Sequence, residues 1–235
     1  MRLSEIMFPS KCMFCGKVVG SGKRACDDCV KRLPYVTEPV CKRCGKPIMR
    51  GTDELCTDCG LRDHPGLDSS VALFVYREDT RKAMVDLKYG GCFGDAAFYA
   101  DELCRHFYGR IRRWHADVLV PIPIHKRRMR FRGYNQAELV AEELGQRIGL
   151  PTEGILKRTR YTSPQKNLNA EKRRANLRQA FEVDESIFRP EVHESVVLVD
   201  DIYTTGATLE ACAGLLKKAG ARSVYAVCIC IGSEA

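Results

Sequence analysis

The sequence predicts an α/β fold: a parallel β-sheet flanked by helices, preceded by a small cysteine-rich domain. Three observations carry this expectation. At 235 residues the chain holds one full domain and a small one. The first sixty residues contain eight cysteines in four C-x-x-C pairs. From Ser69 onward, apolar runs of strand length alternate with stretches that repeat apolar residues at helical spacing. Such alternation implies a parallel sheet covered on both faces. The change of pattern sets the expected domains at residues 1–65 and 66–235.

The amino-terminal pairs are Cys12/Cys15, Cys26/Cys29, Cys41/Cys44 and Cys56/Cys59. "CMFCGK…CDDC" and "CKRCGK…CTDC" recur at a spacing of about thirty residues, which marks an internal duplication. Each C-x-x-C presents two thiolates from one tight turn, and two such turns supply the four soft ligands of tetrahedral Zn²⁺. Gly16 and Gly45 directly follow their pairs and suit the left-handed backbone of a metal knuckle. The segment is otherwise poor in large apolar residues, so zinc substitutes for a core. A redox role would need a thioredoxin-like strand and helix pattern around the pairs, and the sequence lacks it. The expectation is a double zinc ribbon holding two structural ions, with sequential and interleaved pairing both open. Four thiolates leave no coordination position for catalysis. Cys92, Cys104, Cys212, Cys228 and Cys230 lack metal spacing. The last two lie in the strand-like "VYAVCICIG" as small core side chains.

The later elements follow in order. "SSVALFVY" (69–76) reads as a strand. In "DTRKAMVDLKY" (79–89), Ala83, Met84, Leu87 and Lys88 fall at helical spacing, with Asp79 available as N-cap. "AAFYADELCRHFYGRIRR" (96–113) continues as a helix. "ADVLVPIPI" (116–124) is a strand closed by Pro121 and Pro123. "YNQAELVAEELGQRIG" (134–149) is an amphipathic helix with Ala137, Val140, Ala141, Leu144 and Ile148 on one side. After a polar, basic stretch come a buried strand, "SVVLVD" (195–200), a helix (206–220) ended by Gly220, and a last strand, "SVYAVCIC" (223–230).

The formal net charge of +8 is unevenly spread. Residues 105–132 hold nine Lys/Arg against one Asp, and 157–178 hold eight against one Glu, so the remainder is net acidic. Local basic charge points to a polyanion, against the plainer reading of a solvated surface. No apolar run approaches the ~18 residues of a membrane span. The start, "MRLSEIMFPSKC", has no apolar segment or cleavage site of a signal peptide. A cytoplasmic protein is therefore expected, and in a reducing compartment its cysteines are metal ligands or core residues rather than disulfides.

The stretch with the most chemistry is "VVLVDDIYTTGAT", Val196 to Thr208. An apolar strand ends in Asp200 and Asp201, and Thr204-Thr205-Gly206-Ala207-Thr208 then opens a helix. Parallel sheets bind ligands at the carboxyl ends of their strands. A turn entering a helix exposes amides beside the positive end of the dipole, which suits a phosphate. Two acids beside a phosphate need another partner, such as ribose hydroxyls or a divalent cation. The local chemistry asks for a sugar phosphate.

These thirteen residues resemble the phosphoribosyl pyrophosphate (PRPP) motif of type I phosphoribosyltransferases. The resemblance assigns the ribose hydroxyls to Asp200 and Asp201 and the 5′-phosphate to Thr204, Thr205, Gly206, Ala207 and Thr208. Two further stretches are similar to the ComF family of competence proteins. "PIPIHKRRMRFRGYNQAE" carries Pro121, Pro123, His125, Arg128, Arg132, Gly133, Asn135 and Gln136. "SPQKNLNAEKRRANLRQAF" carries Gln165, Leu168, Arg173, Asn176 and Phe181. Lys126 stands where family members often have Pro. The resemblance spans nearly the whole chain and implies a type I phosphoribosyltransferase-like domain behind the zinc ribbons.

Within that frame, the first basic stretch becomes a pyrophosphate loop. Lys88, His125, Arg128 and Arg132 are the candidate contacts, with Lys88 equally readable as a solvated helix-end lysine. The second stretch (157–178) occupies the place of a mobile loop that covers the ligand, and Arg173 is its preferred functional residue. Two functions follow from the resemblance. One is a PRPP-responsive protein of DNA uptake that handles single-stranded DNA beside a competence helicase and recombination proteins. The other is an active phosphoribosyltransferase of nucleotide salvage that moves ribose 5-phosphate from Mg²⁺–PRPP to an unidentified acceptor. Phe131, Tyr134 and Tyr161 interleave with the basic segments, as single-strand binding asks, although Tyr134 reads rather as core packing and the same reading stays open for the other two.

Overall fold

The computed structural model describes residues 10–48, 53–61, 66–91, 93–160, 177 and 179–232. The amino-terminal duplication is visible in the backbone. Cys12 N donates to Lys17 O and Gly16 N to Cys12 O, each at 2.8 Å; Cys41 N donates to Lys46 O at 2.8 Å and Gly45 N to Cys41 O at 2.9 Å. Both knuckles close on a left-handed glycine, Gly16 at φ 76° and Gly45 at φ 72°, where any other L-residue would be strained. A short helix then follows the second cysteine turn of each half, α1 (Asp27–Arg32) and α2 (Thr57–Gly60).

The two halves meet the rest of the chain differently. The second knuckle rests on the first strand, β1 (Ser69–Val75): Ser70 N donates to Arg43 O at 2.7 Å and Ser70 Oγ to Cys44 O at 2.7 Å. A side chain at Gly45 would come within 2.8 Å of Ser70 O, so glycine also permits this close approach. The first half is tied by Arg24, which pairs with the buried Asp95. Between them Tyr35 bonds the buried Glu102. Buried carboxylates need such partners.

The larger part continues through α3 (Glu78–Tyr89), α4 (Gly94–Arg113), β2 (Val118–Pro121), α5 (Lys126–Arg132), α6 (Gln136–Ile148), β3 (Leu156–Arg158), β4 (Phe181–Val183), β5 (Ser195–Tyr203), α7 (Ala207–Ala219) and β6 (Ser223–Ile231). Four strands form a parallel sheet in the order β1-β6-β5-β2. Val196 through Val199 and Val224 through Ile231 are buried almost without remainder. Each such aliphatic side chain contributes ~1.5–3 kcal/mol relative to exposure. One face is covered by α3, α4 and α6. The other is covered by α7, the short β3–β4 pair and the second cysteine cluster.

The position of the site follows from the connections. After α6 the chain runs beside the outer edge of β2, with Leu119 N bonded to Pro151 O at 2.8 Å and a parallel bridge from Leu119 to Thr152. It then returns to β5 on the inner side of β2. The chain thus leaves β2 in one direction and β5 in the opposite one, and a parallel sheet opens a crevice at such a reversal. Pro121 ends β2 there, paired with Val199, and Asp200 follows next on β5.

Three expectations are corrected. Helix α3 begins at Glu78 behind Arg77, whose amide donates to Thr80 Oγ1 at 3.0 Å, so Asp79 lies in the first turn and does not cap it. β5 runs on to Tyr203, paired with Ile231, so the acid pair lies within the strand. The stretch read as a pyrophosphate loop contains α5, capped by His125 Nδ1 at 3.2 Å from Arg127 N and ended by left-handed Gly133.

Candidate functional site

Asp200 and Asp201 are consecutive in a strand, so their side chains leave opposite faces. Asp201 is buried and turns toward α3 and α6. Its Oδ2 lies 3.1 Å from Lys88 Nζ in the last turn of α3 and 2.6 Å from Gln136 Nε2 at the start of α6. Asp200 is half-buried and accepts the Asp201 amide at 2.8 Å. Its carboxyl is pushed up to about 7, first by burial and then by the charge of Asp201, against the lowering pull of that amide, Lys88 and Arg158. The adjacent acids thus have different surroundings.

Thr204 and Thr205 are exposed beyond the strand. Gly206 is the N-cap of α7 at φ 73° and ψ −5°, with no side chain bonded across the cap. The first amides of α7 therefore face the crevice without a side-chain acceptor, the arrangement that receives an anion. A side-chain carbon at Gly206 would collide with the Tyr203 hydroxyl, which lies directly beneath the turn.

Arg132 links the basic helix to the acids. Its Nη1 donates to Gln136 Oε1 at 2.8 Å and its Nη2 to the Tyr89 hydroxyl at 3.0 Å, with the guanidinium 4.6 Å from the Tyr89 ring centre. Gln136 therefore holds Arg132 with its oxygen and Asp201 with its nitrogen. His125 is held below the ordinary imidazole range by burial and by the charges of Arg158, Arg127, Lys126 and Arg128.

The cysteines form two sequential clusters, Cys12/Cys15/Cys26/Cys29 and Cys41/Cys44/Cys56/Cys59, each with its sulfurs within 4.8 Å of one another. Interleaved pairing is thereby ruled out. Cys15 Sγ lies 3.7 Å from Cys26 Sγ and Cys44 Sγ 3.6 Å from Cys56 Sγ. A zinc–sulfur tetrahedron with bonds of ~2.3 Å has edges of about 3.8 Å, so the thiols stand where zinc would hold them. Despite its burial, Cys12 is lowered to about 6 by the Cys15, Cys26 and Phe14 amides, and Cys41 is lowered by bonds from Cys44 and Cys59. In the same clusters Cys29 is pushed up to about 12 by burial and the neighbouring thiols, and Cys59 to about 12 and Cys44 upward by the neighbouring thiols and burial. One thiolate per cluster thus opposes the next until a cation joins them.

Residues 3–60 match the double zinc ribbon domain, and residues 132–234 match the phosphoribosyl transferase domain. The chain is 30% identical over 230 residues to Competence protein F of Haemophilus influenzae, covering 92% of this chain and 95% of that protein. The chain belongs to the ComF family. Competence protein ComFC of Bacillus subtilis is 31% identical over 219 residues, 86% of this chain and 82% of its own length. DNA utilization protein YhgH of Escherichia coli O157:H7 is 35% identical over 232 residues, 94% and 97% of the two chains.

In this ComF-family chain the two four-cysteine clusters are zinc-ribbon sites. Among the candidate ligand residues, Lys88, Asp201 and, through Gln136, Arg132 come together. Thr204 to Thr208 lie at the end of the same strand. Arg128 stands half-buried on α5, its amide bonded to His125 O at 2.8 Å. Arg173, Gln165, Leu168, Asn176, Tyr161 and Cys92 lie outside the described residues.

Three residues emerge that the sequence did not mark as site residues. Gln136 was legible only as a position shared with the ComF family. Tyr203 was hidden as the aromatic between acids and threonines. Arg158, whose charge reaches both Asp200 and His125, was one of eight cations in its stretch, and only its stacking on Phe181 at 5.1 Å sets it apart. No helix among the described residues is long and apolar enough to cross a membrane.

Proposed function

We propose that this chain is a PRPP-binding ComF-type protein acting in DNA uptake and the handling of single-stranded DNA. The observation that carries this reading is the acid pair of β5 leading into an uncapped helix N-terminus in the sheet's crevice. Asp200 and Asp201 take the ribose hydroxyls, and the amides and hydroxyls of Thr204–Thr208 take the 5′-phosphate. Lys88 and Arg132 face the pyrophosphate, and Mg²⁺ accompanies it. Arg173, which the resemblance to the ComF family singles out, is a further candidate contact to the ligand. The names of the relatives support the link to competence and DNA use. Two four-thiolate sites support a cytoplasmic location, since a reducing compartment keeps the ligands reduced.

Calorimetry with Mg²⁺–PRPP tests this on the native protein and on an Asp200→Asn/Asp201→Asn variant. Saturable heat that the double substitution abolishes is expected. No heat from well-folded, zinc-loaded protein would sink the ligand assignment. Release of pyrophosphate dependent on one added base would identify a transferase of nucleotide salvage instead.

A further inference from the structure

Three of the large aromatic side chains that this protein leaves in water stand around one groove: Tyr89 is 55% exposed, Phe93 56% and Phe131 80%. With Tyr134, Arg132 and Gly91 they line an open cavity of about 590 Å³ between the end of α3 and helix α5. The rings meet edge to face, Tyr89 with Phe131 at 6.2 Å and 68°, and Phe93 with Tyr134 at 4.9 Å and 64°. An edge-to-face contact covers at most one face of a ring, so Phe131 and Phe93, both more than half exposed, keep ring surface for a further planar group. Tyr89 already carries the Arg132 guanidinium on one face. Tyr134 is anchored through its hydroxyl to Leu87 O at 2.8 Å, and Tyr89 by Arg132 at 3.0 Å, so these walls are fixed before any ligand arrives.

The groove also has a charge. α5 reads "KRRMRFR", with Lys126, Arg127, Arg128, Arg130 and Arg132 and no acid, and Phe131 lies between two of these arginines. An apolar peptide or a lipid tail would gain nothing from five cations beside it. An anionic chain that carries planar rings would use both. A duplex keeps its base faces stacked and offers phosphates only, whereas a single strand offers phosphates and free base faces together.

We infer that the Tyr89/Phe93/Phe131/Tyr134 groove stacks a base of single-stranded DNA while α5 holds the flanking phosphates. This rests on the DNA-handling part of the proposed function and adds the surface that performs it. Because Arg132 borders both the groove and the Asp201 network, the strand lies next to the sugar-phosphate site.

The test is fluorescence anisotropy at one fixed salt concentration, with a labelled twelve-residue oligothymidylate and an abasic strand of the same length and charge. The native protein should bind the strand with bases about ten-fold more tightly, the scale of one or two stacked bases. Phe131→Ala and Phe93→Ala should lose that preference and keep the abasic affinity, with unchanged melting curves. Phe131→Trp should restore it. Equal binding of the two strands by native protein, or an undiminished preference in Phe131→Ala, overturns the proposal. So does a duplex that binds as tightly as the oligothymidylate. Calorimetry with Mg²⁺–PRPP on native protein reads the neighbouring site separately, so failure there leaves the base preference as its own result.

Discussion

Gln136 Nε2 donates to Asp201 Oδ2 at 2.6 Å, and Lys88 Nζ reaches the same oxygen at 3.1 Å. Two donors from two helices thus converge on one carboxylate oxygen, while the Gln136 carbonyl orients Arg132. Gln136→Leu keeps the volume and removes both bonds. Hydrogen bonds to charged groups contribute ~1.5–3 kcal/mol, so PRPP affinity should fall about ten- to one-hundred-fold. Calorimetry measures this, and unchanged affinity would mean that Asp201 does not need its supports.

Asp200 makes binding and stability depend on pH in opposite senses. Its folded value of about 7 lies above the ordinary 3.8, so the native state binds the proton more tightly than the unfolded chain. That contribution to stability is complete below the unfolded value and is lost as pH rises from about 4 to about 7. Native minus Asp200→Asn melting temperatures should decline across that window. Ribose hydroxyls donate to the ionised form, so PRPP affinity should rise about ten-fold from pH 6 to pH 8 as the competent fraction grows. A flat profile would place the raised carboxyl elsewhere.

Gly206→Ala tests the turn itself. The substitution forces a side chain onto φ 73° and into the Tyr203 hydroxyl, displacing the amides that start α7. We expect PRPP binding to be lost, with zinc content retained. An alanine variant that binds PRPP normally would show that the phosphate does not sit on this turn.

The two zinc sites should part with their metal at different rates. Cys15 is exposed, whereas Cys41, Cys44, Cys56 and Cys59 are at most 3% exposed and share an apolar cluster with Tyr203, Leu209 and Cys212. A chelator with a colorimetric zinc indicator should record two phases of one equivalent each. PRPP binding should survive the first and fail with the second, because the second ribbon supports β1 and packs with Tyr203 beneath the Gly206 turn. Release in one phase would contradict this asymmetry.

Much of the architecture was legible because apolar periodicity reports burial directly. The helix read at 134–149 is α6 at Gln136–Ile148, and the strand read at 69–76 is β1 at Ser69–Val75. The reading faltered where another force decides. β5 passes its two acids because Ile202 and Tyr203 still pair with Cys230 and Ile231, and ladder bonds do not depend on side-chain polarity. Helix α5 has five cations in seven residues and therefore no apolar period; a histidine cap and a left-handed glycine define it. β2 ends at Pro121, earlier than its apolar run, because prolines at 121 and 123 carry no amide for the ladder.

The sequence by itself determined the zinc ligands, the strand–helix alternation and the acid pair followed by a threonine-glycine turn that the proposed function rests on. Each is local chemistry: thiols in closely spaced pairs, periodic burial, and acids followed by a threonine-glycine turn. Only the tertiary structure decided that the cysteine clusters are sequential and that Gln136 bridges Arg132 to Asp201, 65 residues away. It also brought Tyr89, Phe93, Phe131 and Tyr134 around one groove. These contacts join residues far apart in the chain, and their partners are set by strand order and helix packing, which no single stretch encodes.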